Sequence, residues 1–283
     1  MTEVRVSTGL RGQRLWRYLS LDKLIDLLST GELFFAPLAC FVESDPFEGY
    51  LPAVAMEAHA GIFGTVIQHF ETLVSQMEHL NYETGPFRRK LDDLKAAPAR
   101  FFQAINQSIA INCWHKSDYE SEAMWRLYAD NGKAVAIETD VDALRKSMES
   151  RQSEHLVHIY SVEYVDFFDA KLKPTDCVVE GHLTPLLKRK SYQHESEVRA
   201  FIGRRLPTVL REALNVDYWE PAPVRLPVDV RVLVKRVWIS PYAKQPFQSS
   251  VSKICGLLGL SADVVTSSKL LSGHEELLKA FSY

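Results

Sequence analysis

The sequence predicts an α+β fold built on a mixed, mostly antiparallel central sheet, with a helical insertion. Three observations carry this. Strand-like and helix-like segments alternate without the regular βαβ repetition of a doubly wound sheet. Neither a GxGxxG nor a GxxxxGK[ST] stretch occurs, which removes the usual phosphate cradles of open parallel sheets. Residues 53–112 are rich in helical pattern and poor in convergent polar groups. They read as an insertion or cap inside one domain that spans residues 1–283.

In chain order, residues 1–13 read as a flexible lead-in. "RLWRYLS" (14–20) alternates as a strand, with Leu15 and Arg17 on one face and Trp16 and Tyr18 on the other. Ser20 is placed to cap "LDKLIDLLSTG", whose Leu21, Leu24, Ile25 and Leu28 share a helical face, and Gly31 stops it. "ELFFAP" is a short strand and "LACFVESDPFEGYLP" a loop. The 53–112 stretch reads as several helices broken near Gly61, Gly64, Gly85-Pro86 and Pro98. Then follow a strand (108–115), a short helix with a turn at Asn131-Gly132, a strand (133–140) and a helix opened by Asp140. After these come a long strand (155–165), a helix candidate in "TPLLKRKSY" and a strand in "EVRAFIG". "VRLPVDV" and "VKRVWISP" read as strands, "FQSSVSKICGLLG" as a helix and "ADVVTSS" as a last strand.

A hydrophobic content of 46% supports a real core. A net charge of −3 argues against a generally basic nucleic-acid surface. Cys40, Cys113, Cys177 and Cys255 form no CxxC pair, so no metal site is expected, and reduced, mostly buried thiols are. The first residues lack an apolar signal region, and no stretch approaches the ~20 apolar residues of a membrane span. A soluble cytoplasmic protein is the expectation.

Three stretches can carry chemistry. In "ESEVRAFI" a strand places Glu195, Glu197, Arg199 and Phe201 on one face and Val198, Ala200 and Ile202 on the core face. Two carboxylates so close raise one pKa unless a cation compensates, and Arg199, Lys188, Arg189 and Lys190 are near. The stretch is either a compensated polar cluster in a cleft or an exposed face with surface ion pairs. "ESDPFEG" either turns with Phe47 inside and Glu48 in solvent, or brings Asp45 and Glu48 to a site edge. In "CWHKSDYESEAMWRLY", Trp125 and Tyr128 are three apart, so a helix puts them on one face, either as core or as a stacking surface for a planar ring. His115 is an acid/base candidate or a structural histidine. No GxSxG elbow and no HExxH motif is found.

Together, "WRYLSLDKLIDLLSTGELFFAPLACFVESDPFEG", "CWH…MWRLYADNGKAVAIE", "KRKSYQHESEVRAFI" and "VKRVWISPYA" resemble the bacterial domain-of-unknown-function family 2971. The order of strand, helix and short strand, with a late Glu-x-Glu, is similar more distantly to the ADP-ribosyltransferase-like fold. That second resemblance implies an NAD-consuming transferase or NAD glycohydrolase, a toxin or phage-defence effector. In it Glu197 is the catalytic glutamate and Glu195 its partner. Arg17 or Tyr18 serves as the strand-one group, and Trp125 or Tyr128 stacks on nicotinamide. From the residue pattern itself, Lys190 and Arg199 are added to the binding set, and Asp45 and Glu48 are placed at the site edge. NAD is the implied substrate, a protein or nucleic acid the acceptor, and a protein of a defence or toxin system a partner; no metal and no membrane is implied. The alternative is a non-enzymatic nucleotide- or nucleic-acid-binding sensor of such a system. A nuclease is a third class, supported by the basic run 188–190 beside acids.

Overall fold

In a computed structural model, described over residues 1–128, 132–203 and 223–272, the strands are β1 (Glu3–Val6), β2 (Arg14–Leu19), β3 (Glu32–Pro37), β4 (Ile109–Lys116), β5 (Val135–Asp140), β6 (Leu156–Ser161), β7 (Glu163–Val165), β8 (Leu187–Arg189), β9 (Glu197–Gly203), β10 (Val224–Pro227), β11 (Arg236–Ile239) and β12 (Val265–Ser267). The helices are α1 (Leu21–Thr30), α2 (Ala53–His79), α3 (Gly85–Gln107), α4 (Glu122–Tyr128), α5 (Val141–Glu149), α6 (Val230–Leu233) and α7 (Phe247–Leu257). The main sheet runs β1-β6-β9-β4-β2-β5-β11-β12, and β3 joins it on β4 while carrying β10. Its pairs are antiparallel except β1–β6 and β11–β12. This is the mixed, mostly antiparallel sheet expected.

The sheet forks at β4. The C-terminal end of β4 pairs with β2 at Leu15–Lys116 and Trp16–His115. Its N-terminal end pairs instead with β3 at Ala36–Ile111 and Pro37–Ala110. Helix α1 bridges the two arms, and Gly31 ends it in the left-handed region at φ 67°. The fork leaves a gap over Asn112, Cys113 and Trp114. Asn112 braces it: its Nδ2 donates to Phe34 O at 2.8 Å, and its Oδ1 accepts from Trp114 Nε1 at 2.7 Å.

The two faces of the sheet differ. One is continuous core: Leu15, Leu19, Trp114, Ile137, Val157, Ile159, Val198, Ala200, Ile202 and Val237, covered by Leu24 and Leu28 of α1, Leu144 and Met148 of α5, and Val251 and Cys255 of α7. Val198, Ala200 and Ile202 thus point to the core as their alternation requires. The other face holds three smaller apolar clusters, around Trp125, around Phe167 and around Phe201. Polar groups fill the space between them.

Several local expectations are corrected. Residues 1–13 are not a loose lead-in; they contain β1 and a 3-10 turn at Thr8–Leu10. Gly61 and Gly64 do not break α2, because an isolated glycine costs only about 1 kcal/mol relative to alanine; both face open space, where an added Cβ would meet nothing within 4 Å. Pro98 sits inside α3. The stretch 155–165 is two strands: after Ser161, Val162 N still donates to Glu197 O, but Glu163 N donates to Leu186 O and the chain changes sheet. "TPLLKRKSY" is β8 followed by a 3-10 stretch, Lys190–Glu195. Pro185 disfavours helix before it, and β8 finds parallel partners on β7 instead. The strand expected across "VKRVWISP" is confined to β11 and preceded by α6. Cys40 is exposed and Cys113 half-buried, so burial holds only for Cys177 and Cys255. Asn131, expected in a turn, lies outside the described residues.

Asp140 tests the local reading. It caps α5 by accepting from Ala143 N at 2.7 Å. Asp140→Ala is expected to lower stability by about 1 kcal/mol, read from the urea midpoint at constant slope.

Candidate functional site

The polar face of β9 meets β8 and the loop that follows β3. Arg199 is 1% exposed, and it is held there by a complete set of acceptors. Its Nε donates to Glu197 Oε1 at 2.8 Å. Its Nη1 donates to Glu48 Oε1 at 2.7 Å and to Pro185 O at 2.5 Å. Its Nη2 donates to Glu48 Oε2 at 3.0 Å and to Glu197 Oε2 at 3.1 Å. A guanidinium has five donors, and all five are used. Both acids it grips are buried. Such burial is tolerable only when each charge is paired and hydrogen-bonded.

Lys188 extends the cluster. Its Nζ donates to Glu195 and to Glu197 Oε2, the latter at 3.4 Å, and lies 3.7 Å from Glu48 Oε2. Arg189 donates to Asp45 Oδ1 at 2.5 Å and lies 4.3 Å over the Phe47 ring. Asp45 Oδ1 also accepts from Phe47 N at 3.0 Å, which shapes the loop. Asp45 and Glu48 are therefore buried ion-pair partners, and Glu48 is not in solvent. Glu195 is not on the strand; it ends the 3-10 stretch, and Ser196, left-handed at φ 41°, turns the chain into β9. Tyr164 Oη accepts from Glu197 N at 2.8 Å and so fixes the strand's first residue.

These charges set distinct protonation states. Burial works against the Glu197 carboxylate, but Arg199 and Lys188 outweigh it and hold its pKa down at about 2. Burial raises Glu195 above the usual carboxylate range, and Lys188 only partly offsets this. Burial likewise disfavours the Lys188 ammonium, yet Glu197 and Glu48 outweigh it and raise its pKa. The pair is thus split, as two carboxylates with unequal compensation must be.

A cleft of about 800 Å³ opens between this cluster and the fork, within the size range of small-molecule sites. Arg17, Tyr18, Tyr128, Glu195, Glu197, Arg199, Asp45 and Glu48 all line it. Arg17 and Tyr18 leave β2 on opposite faces; both reach the cleft because the sheet is open beside them. The Arg17 guanidinium lies 5.8 Å from the Trp114 ring centroid. Among the described residues it meets no carboxylate and no hydrogen-bond acceptor, and burial lowers its pKa. Tyr18 accepts from Ser121 N at 2.7 Å, and its ring lies 6.4 Å from that of Tyr128, at 26°. Burial pushes the Tyr128 hydroxyl up to about 12.

Two expected site residues fall elsewhere. Trp125 is fully buried behind Tyr18, edge-on at 4.9 Å, and its indole N–H donates to Glu120 at 2.9 Å. It supports Tyr18 and offers no stacking surface. Lys190 is exposed and outside the cleft. Lys188, two residues earlier on β8, supplies the ammonium instead. Cys113, Trp114 and His115 of β4 also line the cleft. Their alternation was readable, but no spacing rule marks a floor strand as polar.

Residues 124–200 match the family model described as "Protein of unknown function (DUF2971)". The matched stretch contains Tyr128, Lys188, Glu195, Glu197 and Arg199, so it covers the acidic half of the cleft and stops short of Arg17, Asp45 and Glu48. No curated protein and no solved structure matches the chain. Among the described residues, no helix is long and apolar enough to cross a membrane, and no group of three or more His, Cys, Asp or Glu is placed to hold a metal.

Arg199→Met is expected to cost about 3–5 kcal/mol, because it strands two buried carboxylates. Arg225→Ala, which breaks an exposed pair with Asp26, is expected to leave the urea midpoint nearly unchanged. Glu197 adds a pH dependence. Its folded pKa lies below its unfolded value, so its contribution is present above the unfolded pKa and is lost as pH falls from about 5 towards 2. The contribution is on the order of 3 kcal/mol. Acid titration of stability should show this loss in wild type and a shallower one in Glu197→Gln.

Proposed function

We propose that the cleft binds NAD and that the chain is an ADP-ribosyltransferase-like enzyme that breaks the bond between nicotinamide and ribose. One observation carries this reading: a guanidinium with no acidic partner among the described residues, two tyrosine rings and a Glu-x-Glu pair line one cleft. Arg17 stands on β2, followed by α1 and β3; Glu197 opens the late strand β9, and Glu195 ends the 3-10 stretch just before it. That is the order the resemblance implies.

The chemistry assigns each group a task. Cleavage builds positive charge on the ribose, as in other oxocarbenium-like reactions. Glu197 is held ionised and immobile, so it presents a preorganised negative charge. Glu195 lies nearer the open cleft, with 18% of its side chain exposed, and is the carboxylate available to the ribose hydroxyls. Arg17 offers charge-assisted hydrogen bonds to the pyrophosphate. Tyr18 and Tyr128 offer ring faces to the nicotinamide.

A second reading is favoured by the Arg199 clamp itself. Both oxygens of Glu197 already accept from Arg199, which suits a nucleotide-binding module that holds its ligand without turning it over. An acceptor protein or nucleic acid, and a partner in a toxin or defence system, belong to both readings as proposals.

Incubation with NAD and mass spectrometry of free nicotinamide separates the two. Release by wild type, reduced at least ~100-fold in Glu195→Gln through loss of the charge beside the ribose, is the expected result. Glu195→Gln is the variant of choice because Glu195 is outside the Arg199 clamp, whereas Glu197→Gln disturbs it. NAD bound but not cleaved favours the module, and no binding removes both readings.

A further inference from the structure

The proposed reaction needs a group that takes the proton of the attacking water or acceptor, and Glu195 is poorly placed for it. Its carboxylate already accepts from the Lys188 ammonium. A different side chain in the same cleft has a free lone pair.

His115 lies on β4, directly across the ladder from Glu197 and beside Trp16 of β2. Cross-strand partners share a face, so His115 projects towards Glu197 and the cleft, which it lines. Its Nδ1 is 2.5 Å from the backbone carbonyl of Glu195. A carbonyl oxygen only accepts, so Nδ1 carries the hydrogen. In a neutral imidazole the lone pair is then on Nε2. Among the described residues no group bonds Nε2, and it is not one of the fully buried unpartnered atoms. The ring is oriented further by Tyr18, edge-on with centroids 6.2 Å apart.

We propose that His115 Nε2 is the general base of this cleft, with Nδ1–H anchored on the Glu195 carbonyl. The proposal rests on the NAD-cleaving reading above. In hydrolysis, the water oxygen bonds to C1′ of the ribose as the C1′–N bond breaks. The electron pair of that bond leaves with the nicotinamide nitrogen. The water proton goes to Nε2, giving ADP-ribose, neutral nicotinamide and an imidazolium that releases its proton to solvent. The anchor makes the base and the acidic pair one mechanical unit, because the residue that holds the ring is the residue that flanks the ribose.

The surroundings keep the imidazole neutral. Burial lowers its pKa, the Glu195 carbonyl opposes this, and His194 adds to it. From the other packed elements it faces Tyr18 of β2 and Glu197 of β9. A general base must be unprotonated, so turnover is expected to be flat at neutral pH and to fall below the histidine pKa, under pH 6.5.

His115→Asn tests this, because asparagine Nδ2 takes the place of Nδ1 and keeps the bond to the Glu195 carbonyl while removing Nε2. The expected result is unchanged thermal stability, NAD affinity within about threefold of wild type, a 10²–10⁴-fold loss of nicotinamide release, and loss of the acid limb of the pH profile. Release within threefold of wild type, or an acid limb that persists in His115→Asn and vanishes in Glu195→Gln, overturns the proposal. ¹⁵N NMR of histidine-labelled wild type gives a readout that does not depend on turnover. The Nδ1–H tautomer, with an Nε2 resonance that shifts on addition of NAD, supports it. The Nε2–H tautomer, or an Nε2 resonance indifferent to bound NAD, overturns it. If wild type binds NAD and releases no nicotinamide, the enzyme reading fails by itself, and the NMR result still decides whether Nε2 meets the ligand.

Discussion

The five hydrogen bonds of the Arg199 guanidinium organise this molecule's polar face. They join three segments distant in sequence: the loop carrying Glu48, the turn at Pro185 and the first residues of β9. Removing one partner leaves buried charge only partly compensated, with Lys188 as the remaining cation beside the two acids, and that penalty exceeds what a pair contributes in water. The cluster therefore behaves as a coupled unit. It explains why a strand beginning with glutamate can be buried along nearly its whole length. Val198, Ala200 and Ile202 are held by the apolar core, while Glu197 and Arg199 are held by each other and by Glu48.

The fork in the sheet is the second constraint. A continuous sheet between β2 and β3 would seal the gap over Asn112 to Trp114. Because β4 shares its length between two partners, side chains from both faces of β2 reach one cleft. Arg17 arrives there without an acidic partner among the described residues, opposite a cluster whose cations are all engaged. One wall of the cleft thus seeks an anion, and the other presents carboxylates of unequal basicity. An anionic ligand with an electron-poor centre satisfies both walls, and a dinucleotide with a cationic ring is such a ligand.

Much of the fold was legible. Alternation in "RLWRYL" and "EVRAFI" gave two central strands, and Gly31 and Asp140 marked helix ends through left-handed backbone and side-chain capping. Short segments misled. Residues 184–192 carry both periodicities over too few residues, and the strand pairing that decided between them is remote in sequence. The Glu195/Glu197 pair and the Asp-Pro-Phe-Glu loop were recognisable as candidates, because charged residues beside apolar runs need an explanation, whereas Arg17 entered only through the resemblance. Their roles were not, since compensation depends on distance in space. Lys188 rather than Lys190 faces the acids because β8 ends at Arg189 and Lys190 opens the 3-10 stretch, which was not apparent in a stretch taken for helix. Trp125 shows the converse: its spacing from Tyr128 suited a ligand platform, but the ring is covered by Tyr18 and occupied by Glu120.

The account depends most on the cleft being an NAD site anchored by Arg17. Calorimetric titration of NAD into wild type and Arg17→Ala addresses this directly. Charge-assisted hydrogen bonds are worth about 1.5–3 kcal/mol, so the account predicts saturable binding of one NAD per chain and at least ~10-fold weaker binding in the variant, with both proteins equally folded. Absence of NAD binding by wild type, or equal affinity in Arg17→Ala, would contradict it.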